Sequence, residues 1–304
     1  MMNDISWDLY RSFLAVLRCG SLSAAARDLG LTQPTMGRHV EALEATLGYP
    51  LFTRSQQGLI ANEAAEALRP YAETLASTVA ALERHASGEL GAVKGTVRIT
   101  ASDVIGVEVL PPILARLQHE HPGLAIELSL SDVVEDVLRR EADIAVRMTG
   151  PKQDALLARH IGEIPVGLFA HQTYIERYGE PQSLADLTRH RFIGYDRQTA
   201  YIRAAGDLIR ARTPDFPDFA ALDMGYRTDS NIAQLAAIRA GAGIGFCQTG
   251  IARRDPDLIH ILKHAFRMPL DTWVVMHEDL KLLPRQKAVF DALAKGLLDY
   301  AATT

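Results

Sequence analysis

Residues 21–54 constrain the fold most, because two short helical patterns are joined there by a tight turn. Ser21 can cap the first of these helices, and Gly30 can end it and supply the turn. Thr32 is a natural N-cap for the second helix, where Pro34 is tolerated because it falls in the first turn. This order of caps and stops predicts a helix-turn-helix, a motif that places its second helix in the major groove of DNA.

The second helix of this pair has two different faces. Its apolar residues fall at i, i+4, i+7 and i+11 and predict one buried stripe, formed by Met36, Val40, Leu43 and Leu47. The opposite face carries small residues beside Arg38, with Gln33 and Gly37 on its flank, which suits insertion into a groove. A plain three-helix bundle that binds a protein fits the same pattern, so the residues alone leave both alternatives open.

The segments on either side of the pair complete the predicted head. A preceding helix is expected between Ser6, which can cap it, and Gly20, which stops it. After the pair, Leu51 and Phe52 are expected to pack back on the core and to leave Arg54 at the base of a hairpin. The prediction is therefore a three-helix head with a wing.

Charge gives no independent sign of a nucleic-acid partner. The formal net charge of the chain is −5 at pH 7. The five arginines of the first 54 residues are balanced by five acidic residues: Asp4, Asp8, Asp28, Glu41 and Glu44. A prediction of DNA binding therefore depends on side-chain pattern rather than on a basic electrostatic field.

The ordered residues of this stretch resemble the N-terminal signature of LysR-type transcriptional regulators. The matching residues are Gly20-Ser21-Leu22-Ser23 with Ala25, Ala26 and Leu29, then Thr32-Gln33-Pro34-Thr35, then Leu43-Glu44 with Leu47-Gly48, and finally Leu51, Phe52 and Arg54. Chain length and the layout of the remaining residues agree, so the resemblance extends over essentially all 304 residues. It implies a winged helix-turn-helix, a linker helix and an effector-binding domain.

The resemblance also implies which residues contact DNA. The family uses the start of the second helix and a wing arginine, which gives the set Thr32, Gln33, Pro34, Thr35, Gly37, Arg38 and Arg54. Glutamine pairs with adenine and arginine with guanine through two parallel hydrogen bonds, whereas the threonines suit phosphate contacts. Gly37 stands where the family usually has serine, and Gln57 where a second wing arginine is common, so we expect fewer contacts to DNA.

Residues 62–90 are rich in alanine and glutamate and predict one long helix. An a/d pattern along it is typical of a dimer seam and is formed by Leu68, Tyr71, Leu75 and Leu82. The family uses such a linker helix for dimerisation, whereas packing of the helix on its own domain is the alternative. Pro70 lies inside the pattern and is expected to kink or weaken the helix locally.

Beyond residue 91, short strands alternate with helices, which predicts an α/β domain with a mostly parallel sheet. The predicted strands are 96–100, 125–130, 143–147, 166–170, 193–195, 226–228, 244–246 and 271–277, and the helices are 109–119, 133–139, 232–240 and 285–300. The resemblance implies two subdomains like those of periplasmic binding proteins, one of about 95–166 with 269–304 and one of about 167–268. The α/β chain as a whole then consists of a DNA-binding domain (1–61), a dimerisation helix (62–90) and an effector-binding domain (91–304).

Ligands of open α/β sheets usually lie at the carboxyl ends of strands, often against helix N-termini. This rule selects eight candidate effector-binding residues: Thr100, Ser102, Ser131, Arg147, Thr149, Thr199, Asp229 and Gln248. Hydroxyl groups beside one arginine would suit a small anionic metabolite that bears a carboxylate. Ordinary helix capping by the serines, threonines and Asp229 is the alternative, as is a structural ion pair for Arg147.

Other chemistries have less support in the sequence. The histidine pairs His119/His121 and His260/His264 lack an accompanying cysteine or carboxylate set, so we expect no metal site. Cys247, at the edge of the predicted cleft, is a candidate redox thiol. No pattern of nucleophile, base and acid is present, and we expect no catalytic residues, no enzyme activity and no cofactor.

Location and partners complete the prediction. Cys19 and Cys247 are far apart in sequence, which suits a reducing cytosol. No apolar run approaches the roughly 20 residues of a membrane span, and the acidic N-terminus does not resemble a signal peptide. We therefore expect a cytoplasmic regulator, a homodimer or homotetramer, whose partners are double-stranded DNA, a small-molecule effector and, by family resemblance, RNA polymerase. A cytoplasmic solute-binding protein or enzyme with a non-DNA helical head is the alternative.

Overall fold

The computed structural model describes residues 5–55, 58–86, 93–131, 142–150, 156–197 and 199–303. These residues form two compact units, one that extends to Ala86 and one that comprises the remainder. The helix predicted over 133–139 and the wing position Gln57 lie outside the described residues. No helix in the described part of the chain is both long enough and apolar enough to cross a membrane.

Three helices form the head, each between the cap and the stop that the sequence predicts. They are α1 (Trp7–Cys19), α2 (Leu22–Leu29) and α3 (Gln33–Leu47). In each case the side-chain oxygen of the N-cap residue accepts a hydrogen bond from a backbone N–H of the first turn; the three caps are Ser6, Ser21 and Thr32. Gly30 ends α2 in a left-handed conformation, with φ 65°, that favours glycine. The predicted helix-turn-helix is confirmed.

A hairpin follows the third helix. Strand β1 (Phe52–Ser55) pairs antiparallel with β2 (Gly58–Ala61), and Arg54 lies opposite Leu59 in the register. The backbone of Arg54 is therefore in the predicted wing, whereas the contact predicted for its side chain lies outside the described part of the chain. The wing itself is confirmed.

The long helix α4 (Glu63–Ala86) follows directly. Asn62 caps it, because its Oδ1 accepts a hydrogen bond from Ala65 N at 3.0 Å while its Nδ2 donates to Pro50 O at 2.8 Å. The helix continues through Pro70, and the hydroxyl of Thr74 donates to the Pro70 carbonyl at 2.8 Å. The one long helix predicted here is confirmed over these residues.

The second unit is built on a seven-stranded sheet. Its strands are β3 (Gly95–Ala101), β4 (Leu124–Leu130), β5 (Ile144–Arg147), β6 (Leu156–His171), β9 (Gly245–Gln248), β10 (Leu258–Ile261) and β11 (Met268–His277). Their order is β10-β6-β11-β5-β3-β4, and β9 also pairs with β6. Two further strands form a separate parallel pair: β7 (Arg191–Tyr195) and β8 (Asp223–Thr228).

Helices cover this sheet. They are α5 (Asp103–Glu108), α6 (Leu110–Glu120), α7 (Gln172–Tyr178), α8 (Ala200–Arg212), α9 (Asn231–Arg239), α10 (Thr249–Ala252) and α11 (Pro284–Ala302). Short 3-10 turns occur at Leu184–Arg189, Phe219–Ala221 and Glu278–Leu280. The sequence predicts α6, α9 and α11 but misses α5, α7, α8 and α10.

The prediction of a mostly parallel sheet is wrong for the described strands. Within the large sheet, β3 pairs parallel with β4 and with β5. In contrast, β6 pairs antiparallel with β9, β10 and β11, and β11 pairs antiparallel with β5. The reason is that β6 and β11, of 16 and 10 residues, are long strands of opposite direction. The antiparallel partners are far apart in sequence, and the alternation of strands and helices does not specify which distant strands will pair.

Two apolar clusters form the core of the second unit. The larger one combines Ile99 and Leu293, from the predicted first subdomain, with Ile238 and Ile251 from the predicted second subdomain. The smaller one lies mostly in the predicted second subdomain, where it includes Phe192, Phe216 and Phe266, and it also contains Val166 of the predicted first subdomain. The larger core therefore crosses the boundary drawn at residues 166/167 and 268/269, and the division into two subdomains stays a prediction.

Replacement of Gly296 by alanine is expected to destabilise the second unit. A Cβ at this position of α11 would lie 2.6–2.9 Å from three side-chain atoms of Ile113, so the packed helices must move apart. Such overpacking costs about 1–3 kcal/mol, usually more than the roughly 1 kcal/mol that alanine gains over glycine in a helix. The measurement is the thermal unfolding midpoint of the purified chain.

Gly206→Ala is the matched control, because Gly206 is also a buried glycine inside a helix. A Cβ there would meet Phe219 at 3.7 Å, an ordinary contact distance. We expect Gly206→Ala to unfold at an equal or higher temperature than the parent. A larger loss of stability in Gly206→Ala than in Gly296→Ala would contradict the packing argument.

Candidate nucleic-acid interface and ligand cavity

The N-terminal half of α3 presents the residues that are predicted to contact bases. Gln33, Pro34 and Arg38 are exposed, and Thr35 and Gly37 are half-buried. The opposite side of the helix is in the core, where Met36, Val40 and Leu43 are at most 6% exposed and Leu47, the last residue of the stripe, is half-buried. The predicted DNA contacts of α3 therefore lie on the outward face of the helix or on its flank.

The two threonines at this end of α3 take part in the helix cap. Thr32 Oγ1 accepts a hydrogen bond from Thr35 N at 3.4 Å and lies 2.8 Å from Thr35 Oγ1. One of the two hydroxyl protons is used in that pair, so only the other hydroxyl can donate to a phosphate without loss of the bond. Arg38 Nε donates to Pro34 O at 3.4 Å, which keeps the guanidinium near the start of the helix.

A partly buried side-chain hydrogen bond fixes α3 against α1. Ser12 is 1% exposed, and its Oγ lies 2.7 Å from His39 Nδ1. Because His39 directly follows Arg38, this bond sets the rotation of α3 about its axis next to a predicted base contact. Sequence reasoning missed both residues, since a serine inside one helix and a histidine inside another carry no pairing signal.

The carboxylate of Glu44 links α3 to the wing. Its Oε1 accepts hydrogen bonds from Leu51 N at 2.6 Å and from Phe52 N at 3.2 Å. Leu51 is fully buried, and the ring of Phe52 lies 5.7 Å from that of Phe13, centroid to centroid. The start of the wing is therefore fixed relative to the helix that carries the predicted base contacts.

The second strand of the wing is fixed to the turn between α1 and α2. Leu59 N donates to Gly20 O at 2.9 Å. A Cβ on Gly58 would lie 2.5 Å from that same carbonyl oxygen, and φ at Gly58 is +126°, so this position requires glycine. Both strands of the wing thus have direct bonds to the helical part of the head.

Helix α4 packs one side on the head and exposes another. Ala72 is buried in the head core, and Leu68 packs against that core. Tyr71, Leu75 and Leu82 are 74%, 37% and 61% exposed. The predicted seam is therefore divided: Leu68 contacts its own domain, as the alternative held, and the other three residues form an exposed apolar strip on the helix.

The second unit contains a cavity of about 100 Å³ between β6, β9 and the start of α9. Its polar lining consists of Ser102, Tyr195, Asn231, Gln234, Cys247 and Gln248. The remaining lining is apolar and includes Met148, Val166 and Phe246, and no lining residue is Asp, Glu, Lys, Arg or His. The volume is about that of three waters and lies below the roughly 300–1,000 Å³ of common ligand pockets. A larger metabolite therefore requires the cavity to open.

Ser102 and Gln248 are the two predicted effector residues that line this cavity. The other six do not line it: Thr100, Ser131, Arg147, Thr149, Thr199 and Asp229. Successive side chains of a strand alternate in direction, and Met148, directly after Arg147, contributes to the lining instead. The carboxyl-end rule thus selects two residues that line this cavity and six that do not.

Arg147 has a structural environment. It is 5% exposed, and its guanidinium donates to Thr100 Oγ1 at 3.0 Å and to Val146 O at 3.1 Å. Thr199 caps α8, because its Oγ1 accepts a hydrogen bond from Ile202 N at 3.3 Å. Thr199 therefore has the capping role that the alternative gives it, and these two bonds of Arg147 go to neutral groups. The lining of the cavity offers no charged partner for a carboxylate.

Asn231 and Gln234 are cavity residues that sequence reasoning missed. Tyr195 OH donates to Asn231 Oδ1 at 2.5 Å, and Gln234 Nε2 donates to Gly194 O at 3.0 Å. Both residues lie in the first turns of α9, one turn apart on the same face. Their position after the Ser230 cap is the signal that could have found them.

Cys247 does not have the environment of a redox thiol. Its side chain is buried, and burial raises the pKa of the thiol to about 12. A thiolate is the reactive form, so this residue is almost entirely protonated at neutral pH. Among the described residues, no three His, Cys, Asp or Glu side chains are grouped as a metal site requires.

An ion pair connects α5 with α9 beside the cavity. The guanidinium of Arg239 donates to both carboxylate oxygens of Glu108, at 2.7 and 3.1 Å. This hydrogen bonding lowers the pKa of Glu108 against the opposing effect of burial. Both helices contribute to the cavity lining, α5 through Val104 and α9 through Asn231 and Gln234, so the pair links two of the segments that surround the cavity.

Two families match the chain and together cover most of it. Residues 7–66 match the bacterial regulatory helix-turn-helix protein family of the lysR type, and residues 90–297 match the LysR substrate binding domain. The first match covers α1 to the start of α4, and the second covers nearly the whole of the second unit.

Curated relatives agree with these matches. An HTH-type transcriptional regulator of Xanthomonas campestris is 30% identical over 179 residues, which is 59% of this chain and 52% of the relative. The HTH-type transcriptional activator AaeR of Escherichia coli is 27% identical over 183 residues, 60% of this chain and 59% of the relative. The chain thus aligns with a little over half the length of these relatives.

Solved structures share the fold. Full-length CbnR, crystallised as a complex with its target DNA, superposes with a TM-score of 0.65 at 18% identity, over 98% of this chain and 99% of that chain. At this level of identity the likeness concerns the fold alone.

Glu44→Ala is expected to destabilise the head, because the N–H of buried Leu51 would lose its acceptor. An unsatisfied buried donor costs about 1–3 kcal/mol. The measurement is urea unfolding followed by Trp7 fluorescence, in a chain that carries Trp273→Phe so that one tryptophan remains. Glu44→Gln keeps an oxygen acceptor and should lose less stability.

Glu41→Ala provides the control, because Glu41 is an exposed carboxylate on the same helix. It should leave the head transition within about 0.5 kcal/mol of the parent. Equal losses in the Glu41→Ala and Glu44→Ala chains would show that the wing does not depend on this carboxylate.

Proposed function

Because this chain belongs to the LysR family of bacterial regulators, we propose that it is a sequence-specific DNA-binding transcriptional regulator controlled by a small-molecule effector. The observation that carries the proposal is the outward face of α3, which presents Gln33 and Arg38 on a helix fixed to the wing. Both side chains have the hydrogen-bonding groups that recognise base edges in the major groove. No covalent chemistry is required, and the curated relatives are transcriptional regulators rather than enzymes.

DNA contact is proposed to divide into base recognition and phosphate positioning. Gln33, Pro34, Gly37 and Arg38 would face the bases, Thr32 or Thr35 would donate to a phosphate, and Arg54 would enter the minor groove from the wing. The related fold of CbnR was crystallised on its target DNA, which supports the same use of the head here. With balanced charge in the head, specificity should depend on geometry more than on counterion release.

Dimerisation is proposed to use the exposed strip of α4. Tyr71, Leu75 and Leu82 are large side chains that are partly or largely exposed to water in the single chain. Burial of such groups is favourable by roughly 25 cal/mol per Å² of apolar surface. Two copies joined along this strip would present two heads to successive turns of one DNA face, and a homotetramer would require further contacts between second units.

Effector control is proposed to act through the cavity beside α9. Its lining consists of neutral polar and apolar groups, so it favours a neutral polar ligand over the carboxylate-bearing metabolite expected from sequence. Because the cavity is small, a ligand must either be small or separate the segments that the Glu108–Arg239 pair connects. A ligand that binds one of these states better than the other shifts their populations. A cytoplasmic location and contact with RNA polymerase belong to the same proposal.

Arg38→Ala is expected to weaken specific DNA binding. Loss of one bidentate base contact removes about 1–3 kcal/mol, which corresponds to roughly 5- to 150-fold in affinity. Binding sites are first selected from random-sequence DNA with the full chain and then footprinted. The preference at one base position should relax in the Arg38→Ala chain.

Arg11→Ala is the matched control, since it removes an equal charge from an exposed position of α1. This substitution should weaken binding to every DNA sequence by the same small factor and leave the base preference unchanged. Failure of the parent chain to protect any selected sequence would refute the proposed function.

Ser102→Ala is expected to lower the affinity of the chain for its effector, whereas Ser131→Ala is expected to leave that affinity unchanged. Both serines follow strands of the sheet and were selected by the same sequence rule, but only Ser102 lines the cavity. Metabolites are screened for those that raise the unfolding temperature of the full chain. Loss of one hydrogen bond should then reduce the affinity of such a compound by about 0.5–1.5 kcal/mol in the Ser102→Ala chain. A larger effect of Ser131→Ala would place the effector elsewhere.

A further inference from the structure

A second and larger cavity, of about 480 Å³, lies beside β6, α10, β10 and the segment that joins β10 to β11. Much of its wall is apolar and is formed by Pro165, Phe169, Pro256, Leu258 and Phe266. Its volume is in the range of pockets that bind small molecules, about 300–1,000 Å³. None of the eight predicted effector residues lines it.

Basic side chains predominate among the charged residues of this cavity. They are Arg253, His260, Lys263, His264 and Arg267. Asp255 is the acidic residue of the lining, and its carboxylate lies 3.7 Å from Nε of Arg239, which is outside the lining. Arg253 donates to the neutral carbonyl of Thr303 at 2.5 Å. Within the described part of the chain, no ion pair neutralises Lys263 or Arg267, so the cavity has an uncompensated positive charge.

The pKa of His260 is affected by this positive charge. Its ring stacks on Phe169, with the centroids 4.4 Å apart and the planes inclined by 24°. Burial lowers the pKa of His260, and the neighbouring basic side chains of Lys263, Arg253 and His264 lower it further. Three of the basic side chains are thus close enough to His260 to affect it, and an anion placed among the cations would be attracted to them.

We propose that this cavity binds a small organic anion that combines a phosphate or carboxylate group with a flat apolar body. Lys263 and Arg267 contact the anionic group, and the apolar body lies against Phe266 and Pro256. Charge-assisted hydrogen bonds and apolar burial then act on different parts of one ligand. The cavity beside α9 lacks charged lining residues, so the two sites select ligands of different chemistry.

The test uses isothermal titration calorimetry of the full-length chain with phenyl phosphate and, separately, with benzoate. Saturable binding of at least one of these two anions is expected. The Lys263→Gln/Arg267→Gln double variant should weaken that binding by about tenfold or more, because it removes both cationic contacts. Inorganic phosphate, which lacks the apolar body, should bind more weakly than phenyl phosphate.

Arg116→Gln/Lys281→Gln is the matched control, because it removes the same charge from two exposed positions outside the cavity. It should bind the anion as the parent does. Thermal unfolding of every variant checks that the exposed substitutions leave the fold intact. DNA footprinting with the Lys263→Gln/Arg267→Gln chain tests DNA binding separately from anion binding.

Three outcomes would overturn the site. The first is the absence of binding by both phenyl phosphate and benzoate. The second is equal weakening in the two double variants, which would indicate a general charge effect. The third is loss of binding in the Ser102→Ala chain with retention in Lys263→Gln/Arg267→Gln, which would place the anion in the cavity beside α9. A footprint that persists in any of these cases leaves the DNA-binding proposal intact.

Discussion

The antiparallel pairing of β6 with β11 is the contact on which the second unit depends. The two strands pair from Met268 opposite Val166 to His277 opposite Leu156, with one irregularity between Thr272 and Trp273. They are neighbours inside the sheet. Strands β9 and β10 pair with β6, β5 pairs with β11, and β3 and β4 are connected to β11 through β5. The apolar core crosses the predicted subdomain boundary because these strands carry residues of both segments.

The contrast between local and long-range contacts explains which parts of the fold could be predicted from the sequence. Helix caps are local: Ser6, Ser21 and Thr32 act within three residues of their own position, and all three form the predicted bonds. The head and the start of α4 depend on such local signals together with one apolar stripe. The sheet depends on partners separated by about 100 residues, such as Val166 and Met268, and a strand pattern does not specify which strand it will join.

Candidate sites divide in the same way. The exposed residues of α3 follow from helical spacing, so the proposed base contacts were available from the sequence. The lining of the cavity could not be predicted by one rule for all strands. Ser102 contributes to the lining, whereas Ser131, selected by the same argument, does not. Ser12 with His39 and Glu44 with Leu51 are contacts between elements, and neither member of a pair indicates the other in the sequence.

Helix α4 also has a mechanical consequence. Since Leu68 and Ala72 belong to the core of the head, the head and this helix should turn as one rigid piece. A helix of 24 residues is about 36 Å long at 1.5 Å per residue. A tilt of roughly 5° about one end therefore moves the other end by about 3 Å, which is close to the rise of one base pair along B-DNA. In the proposed dimer this helix would act as a lever arm, and small changes of angle at its far end would be enough to bring the two heads into or out of register with a pair of DNA half-sites.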